Sequence, residues 1–154
     1  MTTIAYKNGI IAYDSRSIID NLIVEDDYDK KVEINDVVFF LAGATSDFDL
    51  FIDAYFGKAK DLKNIDVAAI IADDCRLFHS SVTHDGVLWK CLINPERHYA
   101  IGSGRDFAIA FMDAGYSAEH AIAATIKRDC WTGGKIRKWT FPMNDYALDQ
   151  RKAV

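Results

Sequence analysis

Two short, mostly apolar stretches mark the start of the chain. Residues 3–6 and 10–14 read as two strands, and Asn8-Gly9 between them is a strong tight-turn signal. Residues 31–34 alternate polar and apolar. Asn35-Asp36 turns the chain, and residues 37–42 form an apolar strand ended by Gly43. The period then changes. Phe48, Phe51, Ile52, Tyr55 and Phe56 recur at helical spacing, with Asp47, Asp49 and Asp53 off the stripe, so a half-buried helix is expected, capped by Ser46 or Asp47. Strands follow over residues 67–72, 77–83, 87–92 and 99–101. Gly102-Ser103-Gly104 leads into a helix with Phe107, Ala108, Phe111 and Ala114 on one side, closed by Gly115. Ser117 caps the next helix, which carries Ala121, Ala124 and Ile126. Gly133-Gly134 stops that segment, and residues 136–141 read as a last strand.

Strands, one helix, strands, two helices and a strand, with hairpin signals among them, imply an α+β layered domain and not a doubly wound one. The 154 residues fit a single domain spanning 1–154. Half of them are apolar and 27% are charged, an ordinary globular balance. The net charge of -5, without a lysine- or arginine-rich block, gives no nucleic-acid footprint. No apolar run approaches the ~20 residues that span a bilayer, and the start lacks a basic segment followed by a long apolar run. Cys75, Cys91 and Cys130 are odd in number and lack paired spacing, which points to free thiols in a reducing compartment. The expectation is a soluble cytoplasmic protein with no membrane partner.

The candidate chemistry begins at Met1-Thr2-Thr3. Removal of Met1 would leave Thr2 with a free α-amine beside its hydroxyl. Such an amine has a pKa of roughly 7.7 to 8.0, so part of it is neutral near pH 7 and can accept the hydroxyl proton. Thr2 would then be nucleophile and base in one residue. Tyr13-Asp14-Ser15-Arg16 ends the second strand, and Lys30-Lys31-Val32 opens the third. By alternation Lys31 lies on the face opposite Val32 and Ile34. Singly, each feature has an ordinary explanation: many chains begin Met-Thr, Asp14 and Arg16 could pair locally, and strand lysines are usually solvated. Asp73, Asp74, Cys75, His79, His84 and Asp85 match no standard zinc spacing, so no metal site is expected there. Gly102-Ser103-Gly104 lacks the third glycine and the acid of a nucleotide-binding loop.

In order along the chain, six motifs together resemble the proteasome β-subunit family, including HslV-like peptidases. They are Thr2-Thr3-Ile4, Asp14-Ser15-Arg16, Lys31-Val32, the run from Leu41 through Gly43 to Asp47, Ile101-Gly102-Ser103-Gly104, and Arg128 through Gly134. The resemblance covers nearly the whole chain. It implies the N-terminal-nucleophile hydrolase fold, a four-layer αββα sandwich of two stacked antiparallel sheets flanked by helices. It implies Thr2 as nucleophile, an Asp14–Lys31 pair beside it, and the Gly43 N–H as oxyanion donor. Ser103, Asp129 and Thr132 would surround the Thr2 amine, Arg16 would brace the cluster, and Leu41 and Thr45 would line the primary pocket. Thr132 stands where the family usually has serine, which keeps the hydroxyl. Tyr13 is bulkier than the small residue common before the aspartate.

The activity so implied is a threonine endopeptidase acting on polypeptide. Its partners would be copies of itself in a ring, with an ATP-dependent unfoldase. It implies no cofactor beyond a weakly bound cation near the Asp129 and Thr132 carbonyls. The alternatives are a catalytically silent structural subunit that retains Met1, and a small-molecule amidase on the same fold.

Overall fold

Tight turns set the first sheet. In the computed structural model, which describes residues 2–142, β1 (Thr3–Lys7) and β2 (Ile10–Tyr13) pair antiparallel. Asn8 and Gly9 both take positive φ, 50° and 80°, which gives the turn the twist that paired strands need. Met1, and with it the expected removal of that residue, lies outside the described residues.

After β2 the chain leaves the sheet. β3 (Ser17–Ile19) and β4 (Leu22–Glu25) form a separate two-stranded hairpin turned at Asp20-Asn21. The hydrophobic pattern does not predict it. Ile19, Leu22, Ile23 and Val24 are all exposed, so apolar residues occupy both faces and the period-two signal is absent.

Five strands then build the second sheet in chain order: β5 (Lys31–Ile34), β6 (Val37–Gly43), β7 (Val67–Asp73), β8 (Arg76–Val82) and β9 (Leu88–Leu92). β10 (Tyr99–Gly102) returns to the edge of β1, and β11 (Arg137–Thr140) pairs with β2. The first sheet therefore has the order β10-β1-β2-β11. All pairings are antiparallel.

Among the described residues, three helices cover the sheets. α1 (Phe48–Tyr55) follows a 3-10 turn at Thr45–Asp47. The expected side-chain cap is absent there. The Asp47 carboxylate instead accepts the Asp66 N–H at 3.2 Å, tying the helix start to the approach to β7. α2 (Arg105–Asp113) buries Ala108 and Met112. Phe107, expected on the inner stripe, is 43% exposed, because the inward row runs Gly104, Ala108, Met112 at intervals of four. α3 (Ala118–Thr125) is capped by Ser117, whose hydroxyl accepts the His120 N–H at 3.2 Å.

Among the described residues the core falls into three apolar clusters. One joins Ile4, Tyr6, Ile11 and Tyr13 of the first sheet to Val38, Phe40, Ile70 and Leu77 of the second. A second sets Phe39, Leu41 and Ile71 against Phe48, Phe51 and Ile52 of α1. The third sets Ala5, Ala12 and Ala100 against α2 and α3. Small residues at those strand positions let both helices approach the sheet closely. Tyr13 is absorbed here. It is core, edge-on to Phe40 at 5.4 Å.

Candidate active site

Thr2 enters the fold as the residue before β1, and three hydrogen bonds fix it and its neighbour. The Ser103 N–H donates to the Thr2 carbonyl at 2.9 Å. The Thr3 N–H donates to Asp14 Oδ1 at 3.0 Å, and the Asp14 N–H donates to the Thr3 carbonyl at 3.3 Å. Gly102, opposite Thr3 in the sheet, has φ +95°, and a Cβ there would lie 1.7 Å from the Thr2 carbonyl oxygen. Glycine is the residue that lets β10 pass so close.

Asp14 is fully buried and fully satisfied. Oδ1 accepts from the Thr3 N–H and from Lys30 Nζ at 2.8 Å. Oδ2 accepts from the Gly133 N–H at 2.9 Å and the Arg16 N–H at 3.3 Å. Four donors thus converge on one carboxylate. Its ion-pair partner is Lys30, only 3% exposed, and not the expected Lys31.

The correction has a local cause. Lys31 opens the ladder opposite Phe40 and is half-buried. Lys30 precedes the ladder, so strand alternation does not direct its side chain. The surrounding loop does. Asp29 accepts the Lys31 N–H and the Tyr13 hydroxyl, both at 3.0 Å, and Asp26 and Asp27 are pinned by Arg16, Lys135 and Arg137. Burial pulls the Lys30 pKa below its ordinary value, against the opposing pull of Asp14.

Arg16 braces the site from outside. Its guanidinium grips Asp26 in a bidentate pair at 2.8 and 3.1 Å and donates to the Cys130 carbonyl at 3.4 Å. The Asp26 hydrogen bond raises the Arg16 pKa, and the same bond lowers that of Asp26.

On the other side of Thr3 lies a buried hydroxyl network. Asp129 Oδ2 accepts from Ser103 Oγ at 2.7 Å and from Thr132 Oγ1 at 2.5 Å, and Oδ1 accepts the Trp131 N–H at 3.2 Å. Thr132 Oγ1 is 2.6 Å from Thr3 Oγ1, which accepts the Gly104 N–H at 3.0 Å. The expected trio of Ser103, Asp129 and Thr132 is therefore assembled, with Thr3 as a member the motifs did not single out.

A cleft of about 220 Å³ opens beside Thr2. Thr2, Lys30, Gly43 and Thr45 line it together with Ile18, Ile19, Tyr28 and Phe48. Leu41, expected in this pocket, is wholly buried against α1 and takes no part in the lining. Gly43 has φ +125°, and a Cβ there would sit 2.0 Å from the Asp66 carbonyl oxygen, so the β6 end tolerates only glycine beside the cleft. Of the residues missed, Lys30 had a signal in its neighbour Lys31. Ile18, Ile19 and Tyr28 had none, because they belong to the unpredicted hairpin and the loop after it.

Among the described residues, no three His, Cys, Asp or Glu side chains converge as a metal-binding group. The Asp129 carbonyl accepts the Thr132 N–H at 3.2 Å. Neutral carbonyls of this kind suit only a weakly held hard cation. No described helix is long and apolar enough to cross a membrane.

No protein-family model matches the chain, and no curated protein matches it in sequence. Solved structures do match in fold. The BPH protein of Thiobacillus denitrificans, solved in complex with epoxomicin, superposes with a TM-score of 0.64 at 18% identity, over 92% of this chain and 99% of that one. The eukaryotic HslV of Trypanosoma brucei superposes with a TM-score of 0.66 at 18% identity, over 90% of this chain and 97% of that one. The chain has the fold of HslV-type proteins, across nearly its whole length.

Proposed function

We propose that this chain is a threonine-type peptidase subunit of a proteasome-like, HslV-like assembly, with Thr2 as nucleophile once Met1 is removed. The observation that carries this reading is one juxtaposition. Thr2, Lys30 and Gly43 line the same cleft, and Lys30 is held there by a buried, saturated Asp14.

In the proposed reaction the Thr2 α-amine takes the hydroxyl proton, and Oγ1 forms a bond to the scissile carbonyl carbon. The Lys30 ammonium favours the developing alkoxide electrostatically. The Gly43 N–H donates to the oxyanion, and losing such a donor typically costs about 3 to 4 kcal/mol of barrier. The C–N bond then breaks, and the leaving amine carries off the proton. Water hydrolyses the resulting Thr2 ester and restores the free residue. Asp129, Ser103 and Thr132, joined to the neighbouring Thr3 through Thr132, would orient the Thr2 amine.

The three apolar clusters support the layered reading of α1, five-stranded sheet, four-stranded sheet, then α2 with α3. Rings of the chain, polypeptide substrate and an ATP-dependent unfoldase follow from the likeness to HslV. A cytoplasmic setting accords with three free cysteines.

The test is Thr2→Ala measured beside the wild type. Peptide hydrolysis should fall by roughly 10³-fold or more, with the unfolding midpoint unchanged, and labelling by epoxomicin should be lost. Intact mass of the protein from its native source should show an N-terminus beginning Thr-Thr-Ile-Ala. Wild-type turnover in Thr2→Ala would remove the nucleophile assignment. Retained Met1 with no labelling would assign a silent structural subunit.

A further inference from the structure

The buried hydroxyl network contains a residue that the proposed reaction leaves unused. Thr3 is wholly buried and faces two directions at once. Its backbone N–H donates to Asp14 Oδ1, the oxygen that also holds Lys30. Its hydroxyl sits between the Gly104 N–H at 3.0 Å and Thr132 Oγ1 at 2.6 Å.

The ends of this network set its direction. Gly104 contributes an N–H, which can only donate, and its acceptor is the Thr3 hydroxyl. The Ser103 and Thr132 hydroxyls both donate to Asp129 Oδ2. With the Thr132 proton on Asp129, the Thr132 oxygen is left to accept from Thr3, which gives the order Gly104 to Thr3 to Thr132 to Asp129.

We propose that Thr3 is a positioning residue: its hydroxyl locks the Ser103–Asp129–Thr132 wall to the strand that carries Thr2, while its N–H locks the same strand to Asp14–Lys30. One residue thereby fixes the distance between the two halves of the site. Thr2 is held on its carbonyl side by Ser103 N–H, itself next to Gly104, so slack at Thr3 passes directly to the nucleophile. A β-branched side chain suits the role because its χ1 is stiff. The inference rests on the threonine-peptidase reading for its kinetic consequence, and on geometry alone for its structural one.

The test uses Thr3→Val, which keeps the shape and removes the hydroxyl, and Thr3→Ser, which restores it. In Thr3→Val, kcat should fall on the order of 10- to 100-fold, the scale of small misplacement at a reacting group. KM for a short peptide should stay within about twofold, because the cleft wall is untouched. Thr3→Ser should recover most of the lost kcat. Amide hydrogen exchange in the full-length protein provides an activity-free readout. The Ser103 and Thr3 amides should exchange on the order of tenfold faster in Thr3→Val and return in Thr3→Ser.

Unchanged kcat in Thr3→Val, or unchanged exchange at both amides, overturns the inference. So does equal loss of activity and unfolding temperature in both variants, which would make Thr3 plain core. A wild type with no turnover and no labelling defeats the peptidase reading instead. The exchange result then still decides whether Thr3 fixes Thr2.

Discussion

Lys30 and Lys31 are adjacent residues with opposite surroundings, and that contrast gives the sharpest test at the residue scale. Lys30→Ala removes the ion-pair partner of a fully buried Asp14. Breaking such a pair costs about 3 to 5 kcal/mol. The low end is expected here, because three backbone N–H groups still satisfy the carboxylate. Peptide hydrolysis should disappear with it. Lys31→Ala should leave stability within about 0.5 kcal/mol and turnover nearly intact. Urea unfolding and a peptide assay on the two variants decide the matter, and the reverse ranking would restore Lys31 to the site.

A second residue-scale expectation concerns pH. Burial disfavours the Lys30 ammonium, so the folded chain sheds this proton at lower pH than the unfolded chain does. Between the two pKa values the unfolded state binds more protons, and the contribution of Lys30 to unfolding free energy rises with pH. That contribution is complete above the unfolded pKa and is lost as pH falls through the folded one. Activity moves the other way, because the alkoxide loses its ammonium. The alkaline limb of kcat/KM should therefore begin below the ordinary lysine range of about 10.4, without a fall in melting temperature over the same titration. A limb that stays in place in Lys30→Arg would belong to another group. At this scale the site was legible where the family resemblance carried a motif, as with the buried Asp14 and Asp129. It was not legible where one step of register decided the outcome. The resemblance implied an Asp14–Lys31 pair, but the ion pair is made by Lys30, just outside the strand.

Elements were readable in proportion to the strength of their local code. Two hairpin turns read from the sequence, Asn8-Gly9 and Asn35-Asp36, occur with positive φ at each central residue. The Ser117 cap is where the sequence places it, and it offers a measurable prediction. Ser117→Ala leaves the His120 N–H without its acceptor and should cost about 1 kcal/mol. For a chain of this size that lowers the melting midpoint by roughly 2 to 4 °C. Calorimetry showing no shift would mean that α3 is held by Ala118, Ala121 and Ile122 alone. The 3-10 turn before α1 was illegible, because Asp47 serves a long-range partner, Asp66, and not its own helix. The β3–β4 hairpin escaped for a different reason. Ile18, Ile19, Leu22, Ile23 and Val24 flank a plausible turn, but apolar residues on both faces produce no alternation.

At the scale of the whole molecule that same hairpin poses a question of stability. A two-stranded sheet is marginal by itself in water. This one exposes Ile19 by 63%, Leu22 by 70%, Ile23 by 47% and Val24 by 54%, a contiguous apolar run on a short element. Two of its residues, Ile18 and Ile19, also line the cleft beside Thr2. The ring reading accounts for both facts: packing against neighbouring copies would cover the outer residues and so firm up the wall that faces substrate. Light scattering at micromolar concentration should therefore give a mass several times that of the 17.3 kDa chain. Leu22→Asp with Val24→Asp should shift that mass towards the monomer, because an unpaired carboxylate cannot be buried at an interface without a cost of several kcal/mol. The dissociated protein should keep its fold, since neither residue belongs to the three core clusters, but should lose turnover along with the ordered cleft wall. A wild type that runs as a monomer would sink the ring reading. A double variant that stays assembled would separate assembly from this hairpin.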